Sequence, residues 1–317
     1  MILAFAAVCT LSAPNLAVVE RTFAAWSYVS RDRLQLPKDR PPLIILADRR
    51  CTYTFRPSAK GRFTLDGSRV GMTARAHGDS VTLPTGARLP IAGMAFTSLY
   101  GAGDSAYFYA TLPDVWKADP KYREDPEDWA AFLTPVILHE LTHTRQLRAI
   151  LESLQPAGSA LKMSAMDDDM IQRRYESDTA FTRSVLRERD LLFEAARESD
   201  ATRRLATVRQ ALDLRRARHA RYFTGPDSAY ATIETRFTDM EGVAQWAALG
   251  YVRQHPLPGE EPTALVDRFR GNRKWWSQEY GLALYLALDA TIPGWQHEVF
   301  PPRLRSAIDL LADAADR

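Results

Sequence analysis

The stretch Thr134-Pro135-Val136-Ile137-Leu138-His139-Glu140-Leu141-Thr142-His143-Thr144-Arg145-Gln146-Leu147 decides how this chain reads. Val136, Ile137, Leu138, Leu141 and Leu147, continued by Ile150, predict a helix destined for a protein interior. Thr134 as N-cap and Pro135 at the first helical position predict where it starts, because proline is expensive further in. Residues four apart share one face, so His139 and His143 stand one turn apart with Glu140 between them. Two imidazoles and a carboxylate are costly in an apolar interior without partners. They form either a hydrogen-bonded polar patch or a cation site. With 6 His in 317 residues, the spelling H-E-x-x-H arises by accident about once in two hundred such chains, which favours the cation. Imidazole nitrogens at this spacing suit Zn²⁺.

A catalytic zinc site needs a further protein ligand and one open position, and a His₂Glu set draws that ligand from a carboxylate elsewhere in the chain. Phe237-Thr238-Asp239-Met240-Glu241-Gly242-Val243-Ala244-Gln245-Trp246 sets Glu241 in an apolar helical run, where Gly242 and Ala244 allow close helix packing. Glu241 is the first choice, with Glu176, Glu188 and Glu234 in more polar settings behind it. The competing reading of Glu241 is a buried acid paired with the arginine-rich segment 215–221.

His139-Glu140-Leu141-Thr142-His143 together with Met240-Glu241-Gly242-Val243-Ala244 resembles the gluzincin type of zincin metallopeptidase. The match is local. The resemblance implies that His139, His143 and Glu241 bind zinc and that Glu140 is the general base for a zinc-bound water, later returning the proton to the leaving amine. It also implies a strand beside the metal helix on which an extended peptide pairs, and residues 105–112 are the candidate for that edge. Arg145 stands where zincins prefer an apolar residue. Gln245 occupies the place, four after the ligand Glu, where thermolysin-like members carry an Asp, which leaves open the group that orients a ligand imidazole. The metzincin continuation, with its glycine and third histidine, is absent. For the oxyanion, Tyr280 in Trp275-Trp276-Ser277-Gln278-Glu279-Tyr280-Gly281 is the choice, ahead of Tyr230 and His255; packing the ring and satisfying the hydroxyl is the alternative role.

Around these motifs the period changes once. Residues 15–31 carry Leu16, Val19, Phe23, Trp26 and Val29 at helical spacing. Short apolar or alternating runs follow at 43–47, 51–55, 61–65, 72–77, 80–83 and 105–112, divided by Asp66-Gly67, Gly78-Asp79 and Thr85-Gly86, and predict a small sheet with hairpins. From Pro126 the pattern is helical, with a short helix opening at Asp125-Pro126 and a hairpin of helices at 181–196 and 202–222. Arg215-Arg216-Ala217-Arg218-His219-Ala220-Arg221 reads as a solvated helix face, the alternative being a phosphate contact.

The formal net charge of +2, from 41 basic and 39 acidic residues, exerts no general pull on nucleic acid or anionic membrane. Residues 1–13 form an apolar stretch suited to a secretory signal and too short to span a bilayer, although no Lys or Arg precedes it. Cleavage there would remove Cys9 and leave no disulfide, with Cys51 as a small buried apolar residue.

The expected protein is α+β and zincin-like: a candidate signal peptide at 1–13, then one domain at 14–317. In it a helix-plus-sheet lobe (14–125) precedes a mostly helical lobe (126–317) carrying the metal site. The expected activity is that of an extracytoplasmic, zinc-dependent peptidase acting on peptides or proteins, with no nucleic-acid partner and no membrane span. A non-catalytic zinc-binding or interaction protein, and a zinc hydrolase of a non-peptide amide or ester, are the rivals.

Overall fold

In the computed structural model, which describes residues 9–38, 40–101, 105–120, 128–163, 165–256, 260–270 and 274–317, the run Leu43–Ala47 forms a strand, β1, buried at all five positions. Burial on both faces is what an unbroken apolar run requires. The chain divides into two compact units, Met1–Arg148 and Ala149–Arg317. The first holds helix α1 (Ala13–Tyr28), β1, β2 (Cys51–Pro57), β3 (Phe63–Leu65), β4 (Ser68–Ala76), β5 (Ser80–Thr82), β6 (Arg88–Pro90), β7 (Ala95–Tyr100) and β8 (Ser105–Thr111), then α2 (Pro113–Ala118) and α3 (Trp129–His143). The motif helix therefore groups with the sheet, a boundary some twenty residues later than the sequence suggested. The helix expected at Asp125-Pro126 lies outside the described residues.

Six strands form one sheet in the order β3-β4-β2-β1-β8-β7, while β5 and β6 make a separate hairpin. Only β1 and β8 run parallel, pairing Leu43 with Tyr107 through Ala47 with Thr111. On one face Phe23 of α1 meets Phe55 and Phe63 edge-on, with centroids 5.2 and 6.0 Å apart. On the other, Ile45, Tyr107 and Tyr109 are covered by Val81 and Leu83 of the β5–β6 hairpin. Asp66 and Gly67 both take positive φ, 50° and 71°, the geometry that joins β3 to β4 most tightly. Ser30 Oγ donates to Asp66 at 3.0 Å and ties that turn to the end of α1.

Three expectations change here. Residues 105–112 are not an edge: β8 lies between β1 and β7, and the edge strand is β7, whose Ala-Phe-Thr-Ser-Leu-Tyr lacks clean alternation. Helix α3 starts at Asp128, whose carboxylate accepts from Ala131 N at 2.9 Å, so Pro135 sits inside the helix and Thr134 Oγ1 bonds back to Ala130 O. An aspartate cap nearly two turns earlier also pairs with Arg21 at 2.8 Å, and together these outweigh one backbone bond lost at the proline. Finally, Cys9 and Cys51 form a disulfide, Ser12 caps α1, and Tyr53 donates to Thr10 O, so residues 9–13 belong to this fold and Cys51 is not a lone apolar thiol.

The second unit is helical: α4 (Leu147–Leu161), α5 (Met170–Tyr175), α6 (Thr179–Arg197), α7 (Ala201–Tyr222), α8 (Tyr230–Gln254), α9 (Pro262–Phe269), α10 (Trp276–Thr291), α11 (Gln296–Val299) and α12 (Ala307–Ala315). The α6–α7 hairpin falls where the sequence placed it. The arginine run 215–221, however, lies only in part on a solvated face. Arg215 and Arg218 are buried, Arg218 against Glu188 and Glu234 at 2.7 Å and Arg215 against Glu234 at 2.6 Å; Arg216 and Arg221 alone of this run's arginines face water. No described helix is long and apolar enough to cross a membrane.

Helices α8 and α10 cross with their backbones in contact. A Cβ at Gly281 would lie 2.6 Å from Gly242 N and from Thr238 O, and one at Gly242 would lie 2.5 Å from Gly281 O. Gly281→Ala is therefore expected to lower stability by about 1–3 kcal/mol, read as a fall in the denaturation midpoint of the second unit, whereas an unchanged midpoint would mean the helices part without cost.

Candidate metal site

Helix α3 buries Leu133, Ile137, Leu138, Leu141 and Thr142, and this packing fixes the rotation that places His139 and His143 inward, 9% and 5% exposed. Glu140, one residue round the helix, is half-buried. Thr97 Oγ1 of β7 donates to Glu140 O at 2.6 Å, pinning the motif turn to the sheet edge. Arg145, the position at odds with the zincin pattern, donates to Pro37 O at 3.1 Å.

The two Nε2 atoms face each other at 3.0 Å, with the rings nearly perpendicular at 84°. With Glu140, these potential ligand atoms all lie within 4.8 Å of one another. A tetrahedral zinc with nitrogens at 2.0–2.1 Å sets two such nitrogens about 3.3 Å apart, so a shift of a few tenths of an ångström accommodates the ion. The donor set, two imidazoles and a carboxylate, fits a divalent transition metal.

Gln146, 3% exposed and one turn after His143, brings its amide to 3.4 Å from His143 Nδ1. The amide nitrogen is the atom that faces Nδ1; with the amide turned over, its oxygen would accept the Nδ1 proton that an imidazole giving Nε2 to a cation keeps. This side chain was not singled out from sequence, although its position three residues after His143 was the available signal.

Glu241 and Tyr280 belong to the second unit. Glu241 is 4% exposed on α8, flanked by Gly242 at the helix crossing. Burial, followed by the negative charges of Glu241 and Asp169, pushes Asp168 up to about 7, and Ser277 Oγ lies 3.4 Å from its carboxylate. Sequence reading did not connect Asp168 and Asp169 with Glu241, because the two stretches lie far apart in the chain. The three rival acids are otherwise engaged or outside: Glu188 and Glu234 are paired with Arg218, and Glu176 is exposed. Tyr280 is buried with its hydroxyl 3.4 Å from Glu188 Oε2 and Arg215 5.8 Å above its ring, and burial and the Glu188 charge raise its pKa. Tyr230 packs beneath Arg174 at 4.9 Å, and His255 stacks on Tyr251 at 4.4 Å. His139, Glu140 and His143 are thus the predicted residues brought together within one unit.

No protein family, curated protein or solved structure matches the chain. The geometry of α3 is therefore the ground for a functional reading.

Replacing Gln146 with Leu is expected to weaken zinc affinity about 10- to 100-fold in a chelator competition, with Gln146→Glu restoring most of it. Equal affinities in all three proteins would show that the amide does not orient His143.

Proposed function

We infer that this protein is a zinc-dependent hydrolase, and more narrowly a peptidase of the gluzincin kind. The observation that carries the reading is the pair of inward Nε2 atoms 3.0 Å apart with Glu140 beside them on a buried helix. We assign His139, His143 and Glu241 as ligands. Glu241 is supported by its burial in an apolar helix while Glu188 and Glu234 are spent on arginines and Glu176 is exposed.

Bound zinc would supply Lewis acidity for a carbonyl and lower the pKa of a water. Glu140 is half-buried, reachable by substrate yet adjacent to the histidines, and serves as general base, taking the water's proton and passing it to the departing amine. Gln146, with its amide oxygen turned to Nδ1, would hold the His143 tautomer. Strand β7 is the sheet edge tied to α3 through Thr97, and an extended peptide adding to it would lie alongside Glu140 with main-chain pairing that tolerates varied sequence. Tyr280 is our choice of oxyanion donor, and its hydroxyl would have to leave Glu188 to serve.

The Cys9–Cys51 disulfide supports an oxidising, extracytoplasmic compartment. Peptide or protein substrates follow from the proposed chemistry.

Glu140→Gln should retain stoichiometric zinc and lose about 100- to 10,000-fold in chelator-sensitive cleavage of a peptide library, whereas Glu241→Ala should hold the metal more weakly and His143→Ala should lose it. Zinc bound without any cleavage by the wild type would favour a non-catalytic zinc protein, and full turnover by Glu140→Gln would remove the mechanism.

A further inference from the structure

Residues 49–75 carry seven basic side chains, Arg49, Arg50, Arg56, Lys60, Arg62, Arg69 and Arg75, against one acid, Asp66, in a chain whose net charge is only +2. Asp66 is buried and bonded to Ser30, with Arg31 at 3.9 Å. Arg189, Arg215 and Arg218 of this protein pair with carboxylates; among the described residues no carboxylate pairs with Arg56, Lys60, Arg62, Arg69 or Arg75. A cluster of uncompensated cations repels itself, and the fold must hold it together by other means.

The register shows how. Thr52 pairs with Arg75, Thr54 with Thr73, Arg56 with Gly71, and Thr64 with Arg69. Paired residues share a face, so the arginines and threonines stand on one side while Tyr53, Phe55 and Phe63 occupy the other, where Phe55 and Phe63 meet α1. The turn at 58–61 then closes hard on β4: Ser58 N donates to Arg69 O and Gly61 N to Ser58 O, both at 2.9 Å. A Cβ at Gly61 would lie 2.1 Å from the Val70 carbonyl carbon, so only glycine permits the approach that sets Lys60 and Arg62 beside Arg56. Arg62 is braced over the Phe63 ring at 4.6 Å. Gly71 adds no side chain to the floor, and a cleft of about 450 Å³ remains, lined by Arg56, Lys60, Arg62, Ser58, Thr54 and Thr73.

We propose that this cleft binds a phosphate-bearing ligand carrying two adjoining phosphoryl charges. Its size lies in the range of small-ligand sites. Three cations and three hydroxyls offer donors without a competing carboxylate. Guanidinium forks match phosphoryl oxygens two at a time, and a single carboxylate would leave most of the positive charge uncompensated. The proposal is independent of the histidine site.

Calorimetric titration of the full chain with inorganic diphosphate, run with a chelator so that metal at the histidine pair contributes nothing, tests it alongside flotation with phosphatidic acid vesicles. The expected result is saturable binding to one of these probes that weakens with added salt. Arg56→Gln combined with Arg62→Gln should reduce the affinity about tenfold or more, whereas Arg49→Gln combined with Arg50→Gln, outside the cleft, should leave it unchanged. Binding to diphosphate alone identifies a soluble ligand, and binding to vesicles alone identifies a lipid headgroup; both support the cleft when the first variant loses them. No binding to either probe, or binding that survives Arg56→Gln with Arg62→Gln, overturns the proposal.

Discussion

Two imidazoles turned into a protein interior from one helical face create a demand that the surrounding structure must meet. Apolar packing of Leu138 and Leu141 turns His139 and His143 inward, and their Nε2 atoms converge at 3.0 Å. Neutral imidazoles in that arrangement can share one proton, or they can share one cation. A cation there would sit among groups already in place: Gln146 beside Nδ1 of one ring, and the Glu140 turn held at the sheet edge by Thr97.

The second unit meets a comparable demand with charge. Arg215 and Arg218 are buried but answered by Glu188 and Glu234, and a buried pair with its hydrogen bonds complete is tolerated where a single ion is not. That pairing bears on the site because it removes two acids from the set available to a metal. Glu241 is left in a different environment, with Asp168 as its electrostatic neighbour and the Gly242–Gly281 contact fixing its helix. Among the described residues, the basic cleft of the first unit gathers cations without such answers, which is why it invites an external anion.

Much of this was legible in the chain because local rules decided it. The period of α1, the Asp66-Gly67 hairpin, the α6–α7 pair, the small residues at the α8 crossing and the histidine spacing on α3 each depend on residues close in sequence. What escaped was set by distant partners. Whether Arg215 faces water or Glu234 depends on a helix that follows in the chain. β8 reads as a good strand whether it is interior or edge, and β7 has no alternation because both its faces are half-buried. The start of α3 was misplaced because Pro135 is a strong local signal, and the Asp128 cap with its Arg21 pair, 107 residues away, outweighs it. The disulfide was missed because the first residues were read as a leader, when Cys9 has its partner in β2.

The central proposal is that His139 and His143, with Glu241 as third ligand, hold one zinc ion. Zinc-edge X-ray absorption on the metal-loaded protein tests it most directly. The account predicts one ion per chain, with two imidazole nitrogens and carboxylate oxygen in its nearest shell at about 2.0–2.2 Å, and loss of the oxygen contribution from the side chain in Glu241→Ala. A spectrum with no imidazole pair, or one unaltered by that substitution, would contradict it.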